Sequence, residues 1–212
     1  MKRNSYHHGD LANALTGAAI DLARRGGPEA VVLREAARKV GVSATAAYRH
    51  FAGYGDLIHA VKEAAQAKLA DSMATELAAT DPLPDPAADA ERRLGALGRA
   101  YVHFALAEPG LFRTAFCRSD KSHEEASAAM LESPAFRMLT ETLDDLVAAG
   151  RLSLARRPFG ETTAWATMHG LAMLLLDGPL AAVPEPERLG LVDGVVDTVI
   201  NGLCGPADRP GR

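Results

Sequence analysis

The chain is poor in cysteine and aromatics and has no long apolar run, and each shortage removes a class of protein. Cysteine occurs twice, at Cys117 and Cys204. Their separation fits no zinc or redox spacing, so neither a disulfide framework nor a metal–thiolate centre is expected; free thiols packed into the body suit a reducing cytoplasm. Aromatic residues are only 5% of the chain. Runs of alternating Val, Ile, Thr and aromatics are missing, while alanine and leucine supply much of the apolar content, which favours an all-α fold over strands. The longest greasy run, Leu171 to Leu176, ends at Asp177 and falls far short of the roughly 20 residues needed to span a bilayer. The start, Met1 to His8, lacks the apolar stretch of a secretion signal. A soluble, cytoplasmic protein without membrane contact is the resulting expectation. A serine elbow, a glycine-rich phosphate loop and a carboxylate pair in suitable context are also missing, so no catalytic residue and no cofactor are nominated. Seven histidines show no close pair except His7–His8 near the start, so no metal site is expected.

What is present is a large apolar fraction and an uneven charge. Residues with apolar side chains make up 48%, enough for a real core in a chain of 212 residues. The net charge is −4, yet the segment through Phe51 has eight Lys/Arg against four Asp/Glu, a net +4 that leaves −8 for the remainder. A basic head on an acidic body suits a protein that meets phosphate with one end.

The pattern predicts about nine helices. Asp10 is a plausible N-cap for a first helix with the stripe Leu11, Leu15, Ala18 and Leu22, stopped by Gly26-Gly27-Pro28. A second helix covers Leu33 to Val40, a third Ala44 to Phe51 and a fourth Asp56 to Ala79, before the break Asp81-Pro82-Leu83-Pro84-Asp85-Pro86. The body resumes at Asp89, with Leu94, Leu97, Tyr101, Phe104 and Ala105 on one face up to Pro109-Gly110. A short element covers Leu111 to Cys117, and Lys121 to Glu125 reads as exposed. Helices then fit Pro134 to Ala149, Phe159 to Leu176 and Glu187 to Leu203. The expected organisation is a three-helix head with an N-terminal arm over 1–55, a helical body over 56–204 and a disordered tail over 205–212.

The head carries the most specific signal. Ala37 is small, so the next helix can cross close to it, and Gly41, four residues on, can take the left-handed conformation of a sharp helix exit. Val42 is apolar inside a turn, and Ser43 is a natural N-cap. Together these predict a helix-turn-helix whose second helix enters a major groove. Its exposed start is small: Ala44, Thr45, Ala46. Thr45 offers a hydrogen bond, Arg49 can reach guanine or phosphate, and Tyr48 and His50 can reach phosphates. Tyr48 is expected to lay its ring on the core and turn its hydroxyl outward, and Phe51 is read as core. Arg34, at the start of the preceding helix, is placed for a backbone contact. The candidate DNA-binding set is Arg34, Ser43, Ala44, Thr45, Tyr48, Arg49 and His50.

Val42-Ser43, Tyr48-Arg49-His50-Phe51, Asp56-Leu57 and Ala60-Val61 together resemble the N-terminal domain of the TetR family of regulators over Asp10 to Val61. Tyr6-His7-His8-Gly9-Asp10-Leu11 resembles one subgroup. Trp165-Ala166-Thr167-Met168-His169-Gly170-Leu171, then Leu176-Asp177-Gly178, is similar to that subgroup's ligand-binding domain, called the WHG type, and Phe104-Ala105 through Pro109 and Leu111-Phe112 fit it too. The resemblance implies a homodimer on a pseudo-palindromic operator and a body that senses a small molecule, usually repressing until that molecule binds. Two departures stand out. Members often carry Ser or Thr as the cap before the second helix, where this chain has Val32. The lysine common at the start of the fourth helix is replaced by Tyr54, beside Gly55.

In the body, Trp165 and His169 are four residues apart and so neighbours on one helix face. With His103, Phe104, Phe112, Phe116 and Met138 they form the candidate ligand-binding set; ordinary core packing is the competing reading for the large apolar members. Leu171, Leu175, Leu189, Val192, Val196, Val199 and Leu203 give the last two helices apolar faces that a two-fold pairing into a four-helix bundle would bury. Two other functions compete with a repressor: an enzyme with an accessory DNA-binding head, and a nonspecific architectural DNA protein. The acidic body argues against the second.

Overall fold

The computed structural model describes residues 8–118 and 122–205; helices joined by turns and loops make up the fold, with no strand among the described residues. Ten α-helices run in order: α1 His8–Gly26, α2 Leu33–Val40, α3 Ala44–Ala47, α4 Tyr54–Ala78, α5 Pro86–Ala107, α6 Pro109–Ala115, α7 His123–Leu131, α8 Pro134–Ala148, α9 Gly160–Leu176 and α10 Glu185–Cys204. Three short 3-10 turns, at Pro28–Ala30, Arg157–Phe159 and Pro179–Ala182, complete the described elements.

The chain divides into two compact units, residues 1–68 with 108–125, and residues 69–107 with 126–212. The first unit has its core where α1, α2 and α3 meet. Leu15, Ala19 and Ala23 of α1, Leu33, Ala36 and Ala37 of α2, and Ala47 and Phe51 are all buried, as are Leu57, Ile58 and Val61 of α4. Five of these eleven side chains are alanines, which let the helices approach closely where they cross. α6 packs on the carboxyl end of α1. Gly110 lies so near that a Cβ there would come within 2.2 Å of the Ala23 carbonyl oxygen and 2.6 Å of that of Arg24. Arg24 Nε donates to Glu108 Oε2 (3.1 Å) at the same junction. The far end of α6 is held from α4: Gln66 Nε2 donates to the Ala115 carbonyl (3.0 Å) and Lys62 Nζ to that of Cys117 (2.9 Å). The first bond satisfies a carbonyl that the end of α6 leaves unpaired, and the second holds the chain just beyond it.

The second unit is a bundle around α5. Ala90 and Leu94 of α5 pack with Leu143 and Leu146 of α8, with Leu152, and with Leu203 and Cys204 of α10. Further along α5, Gly98 faces Met168 of α9 and Val196 of α10. α8 starts at a capped turn, Ser133 Oγ accepting the Phe136 N–H (3.3 Å). Arg157 ties α8 to α9 by donating to Asp144 (2.7 Å) and to both oxygens of Glu161 (2.7 and 2.8 Å). The 81–86 break is fastened to α5 by Asp89, whose Oδ1 accepts from the Leu83 N–H (2.9 Å) and from Arg92 (2.8 Å). These bonds hold the Asp89 carboxyl below its ordinary range.

Several sequence expectations shift. α1 begins at His8, so Asp10 lies inside its first turn and is not the cap. The third helix is one turn, ending at Ala47; the chain continues to Phe51 as a hydrogen-bonded turn, with His50 N–H donating to the Ala47 carbonyl. α7 was not expected, because its stretch shows no clear apolar stripe. Ser122, Glu124 and Glu125 are exposed as anticipated. Most of the apolar face assigned to the last two helices is internal. Leu171, Leu175, Val192, Val196 and Leu203 are buried within the second unit, Val199 is half-buried, and Leu189 alone of the seven is exposed. Periodicity locates an apolar stripe but not which neighbour covers it. Tyr6, His7, Lys121 and residues 206–212, which include nearly all of the anticipated tail, lie outside the described residues.

Candidate DNA-binding head and effector-site residues

The turn between α2 and α3 forms as its residues dictate. Gly41 sits at φ 79°, ψ 28°, in the left-handed region. Its N–H donates to the Arg38 carbonyl (3.2 Å) and the Val42 N–H to that of Ala37 (3.0 Å), the paired bonds of a Schellman ending. Ser43 then caps α3, its Oγ accepting the Ala46 N–H (3.2 Å). The hydroxyl is thereby engaged in holding the helix start, so within the candidate set Ser43 is a cap. Val32, at the cap position of α2, makes no such bond and is 44% exposed.

The other head residues differ in exposure. Arg34, Thr45, Tyr48 and Arg49 are exposed, Tyr48 by 46%; Ala44 and His50 are half-buried. Nearby cations divide into two kinds. Arg38 pairs with Glu35 (2.9 Å) and Lys39 with Asp21 (3.2 Å), exposed pairs of small energetic weight that nevertheless engage those charges. Arg34 and Arg49 make no ion pair among the described residues, so their guanidinium groups are available to phosphate or base edges. Tyr54 opens α4 and directs its hydroxyl to the Pro28 carbonyl at 3.5 Å. Asp56, in the first turn of α4, accepts the Ala52 N–H (2.9 Å). A phosphate approaching this helix start would meet that carboxylate, which counters the attraction of the helix dipole.

The effector-site candidates fall in both units. In the first, Phe112 of α6 is fully buried and its ring lies 5.0 Å from that of Phe116. In the second, Phe104 is buried, and His103, Met138, Trp165 and His169 are half-buried. Met138 lines a small groove of about 240 Å³ with Ala70, Asp71 and Ala74 of α4. Trp165 and His169 are brought together as their spacing predicts, with ring centroids 5.9 Å apart. Between them stands Tyr101, which in the sequence pattern belongs to an apolar face of α5. Tyr101 of α5 is 6% exposed; it accepts a hydrogen bond from Trp165 Nε1 (3.2 Å), and its oxygen is 2.8 Å from His169 Nδ1. The signal was available: a tyrosine on a core face needs a partner for its hydroxyl. Burial pushes the Tyr101 phenol far above its ordinary pKa and pushes the His169 imidazole below its own.

Comparison with known proteins resolves the family. Residues 15–61 match the profile of bacterial regulatory proteins of the tetR family, and residues 94–199, half of the chain, match that of the tetracyclin repressor-like C-terminal domain. The chain belongs to the TetR family. It is accordingly a DNA-binding transcriptional regulator. Among solved structures, it is similar to a protein of unknown function from Rhodococcus sp. RHA1, at 27% identity and TM-score 0.72, covering 95% of this chain and 100% of that one. A bacterial regulatory protein of the tetR family from Rhodococcus RHA1 shares 20% identity with TM-score 0.65, covering 93% and 98%. The transcriptional regulator FadR from Bacillus subtilis, solved in complex with stearoyl-CoA, has the same fold at 12% identity, TM-score 0.66, covering 90% and 98%. No curated protein matches significantly. No helix among the described residues is long and apolar enough to cross a membrane.

Proposed function

We propose that this TetR-family regulator is a cytoplasmic homodimeric repressor that holds a palindromic double-stranded operator and releases it when a small apolar effector binds the body. The observation that carries the DNA half is the capped turn. Gly41 and Ser43 fix α3, and Thr45, Tyr48 and Arg49 are solvent-facing, as is Arg34, which makes no ion pair among the described residues. Thr45 and Arg49 read base edges; Arg34, Tyr48 and His50 contact phosphates; Ala44 permits close approach. Pairing through α9 and α10 supplies the two-fold symmetry that a palindrome requires. Leu189, Met173 and Leu174, exposed on these helices, support that pairing.

The effector half rests on His103, Phe104, Phe112, Phe116, Met138, Trp165 and His169. Aromatic and thioether side chains suit an apolar molecule. That the same fold carries stearoyl-CoA in FadR supports a body built to hold a small molecule. The role is binding, not turnover, and no cofactor is invoked.

Selection of a duplex from random DNA, followed by footprinting, tests the reading. A short protected palindrome with binding that weakens steeply as salt rises is expected. Diffuse coverage without sequence preference defeats it and favours an architectural protein. Arg49→Ala is expected to lower operator affinity roughly 10- to 100-fold, the worth of one good base contact, with dimer mass and helix content unchanged. Undiminished affinity refutes the placement of α3.

A further inference from the structure

We propose that the groove between α9 and α10 is a self-recognition seam: in the paired regulator the Phe159 ring of each copy seats in the groove of the other, and a lane of glycines on α10 lets the two copies approach closely. The proposal rests on the pairing read above and deepens it by naming the contact that holds it.

The exposed face of α9 is not built for water. From Thr162 through Leu176 the helix carries no Asp, Glu, Lys or Arg. Yet Thr162, Thr163, Ala166, Met173 and Leu174 are exposed there, at helical spacing. A solvated helix face ordinarily carries charge, and depletion of charge marks the centre of an interface. α10 shows a second departure. Gly190, Gly194 and Gly202, with Thr198 between them, recur every four residues and are exposed, so they share one side of the helix. An added Cβ would meet nothing within 4 Å at any of the three glycines. Glycine inside a helix costs stability relative to alanine, and no neighbour within the protomer needs the space. The space serves a surface from outside.

Between these two faces runs a groove of about 470 Å³, walled by Thr163 and Thr167 of α9 and by Val195, Thr198 and Gly202 of α10. Two of its hydroxyls are already engaged: Thr167 Oγ1 donates to the Thr163 carbonyl and Thr198 Oγ1 to that of Gly194, each at 2.7 Å. Those walls therefore ask for no polar partner. Phe159 lines the same groove and is 66% exposed.

A second copy is the occupant that this surface fits. A two-fold pair needs one patch that is both key and socket. Here an exposed ring and an unfilled groove occupy the same patch. α9 and α10 have 17 and 20 residues. At about 1.5 Å per residue and a width of about 10–12 Å each, their joint face is on the order of 600 Å² in projection. Side-chain relief carries the accessible area toward the roughly 800 Å² per partner of a stable interface. Closed pairing also uses up the patch and leaves no open end for a filament.

Sedimentation equilibrium of the full chain measures the dimer dissociation constant. Phe159→Ala is expected to raise it about 30-fold or more, the effect of removing an aromatic anchor from a desolvated pocket. Gly194→Gln is expected to raise it at least about tenfold by filling the lane. Circular dichroism should show its helix content unchanged or higher, since Gln favours helix over Gly. A helix-favouring substitution that weakens only the pair is a readout that a purely structural role for Gly194 would not give. Leu131→Ala trims an exposed leucine of α7 and should leave the constant unchanged, which controls for general loss of apolar surface. A chain that stays monomeric, a dimer indifferent to Phe159→Ala or to Gly194→Gln, or equal sensitivity to Leu131→Ala overturns the proposal. Footprinting with the same samples is a separate readout. An indifferent dimer that still protects a palindrome defeats this seam and leaves the repressor reading standing; a sensitive dimer without sequence preference does the reverse.

Discussion

Gly110→Ala and Gly17→Ala make the same chemical change and should move stability in opposite directions. At Gly110 the added Cβ would stand 2.2 Å from the Ala23 carbonyl oxygen and 2.6 Å from that of Arg24. An ordinary C···O contact is about 3.3 Å, so the methyl intrudes by roughly 1 Å. Both obstacles are backbone at the end of α1, so no side-chain rotation relieves the clash and α6 must shift. Overpacking of this kind costs about 1–3 kcal/mol, and the rigid neighbours place Gly110→Ala near the top of that range. With roughly 2–4 °C of melting temperature per kcal/mol for a chain of this size, a fall of about 6–12 °C is expected. Gly17 lies exposed in the interior of α1 with nothing within 4 Å of an added Cβ. There alanine only removes backbone freedom from the unfolded chain, a gain of about 0.5–1 kcal/mol and a rise of about 1–4 °C. Thermal unfolding followed by circular dichroism at 222 nm reads both. Equal signs, or an unaltered Gly110→Ala, would refute the close approach of α6 to α1.

Ser43→Ala removes the side-chain cap at the start of α3 and should cost about 1 kcal/mol, while Val32→Ser installs a missing cap on α2 and should return a similar amount; urea titration of the two variants and the double substitution measures both. Arg34→Ala should weaken operator binding across all sequences alike and reduce the slope of log K against log salt by about one, read by fluorescence anisotropy at several salt concentrations. The pH dependence follows from His169. Its folded pKa is below the ordinary value of 6.5, so the unfolded chain takes up the proton first. The contribution is fully present above that value and is lost as pH falls through it toward the folded pKa. Stability measured from pH 7.5 to 5 should therefore decline, and His169→Gln should flatten part of the decline; an identical slope in the variant removes His169 as its source.

The head was legible because its signals are local. Gly41 and Ser43 act within one turn of chain, and both took the conformations their chemistry favours. α2 falls on its expected bounds for the same reason. The length of α3 was not legible. Alanines at 44, 46 and 47 suit a longer helix, yet α3 ends after one turn and the chain reaches the buried Phe51 through a hydrogen-bonded turn. Boundaries near His8 and Asp10 shifted because histidine, glycine and aspartate give weak local preference. In the body, spacing along one helix correctly paired Trp165 with His169. It could not supply Tyr101, which lies 64 residues earlier than Trp165 and joins them only when α5 packs on α9.

Sequence alone determined that the chain is helical, where its head turns, that its charge is divided between a basic start and an acidic remainder, and which family it resembles. Those properties depend on neighbours within a few residues or on composition, and tertiary packing had little power to alter them. Packing decided which surfaces remain. It withdrew most of the apolar face of α9 and α10 into the bundle, engaged Arg38 and Lys39 in ion pairs while leaving Arg34 and Arg49 without one among the described residues, and placed a phenol between an indole and an imidazole. Burial, charge pairing and the direction of a hydrogen bond depend on atoms brought together from distant parts of the chain.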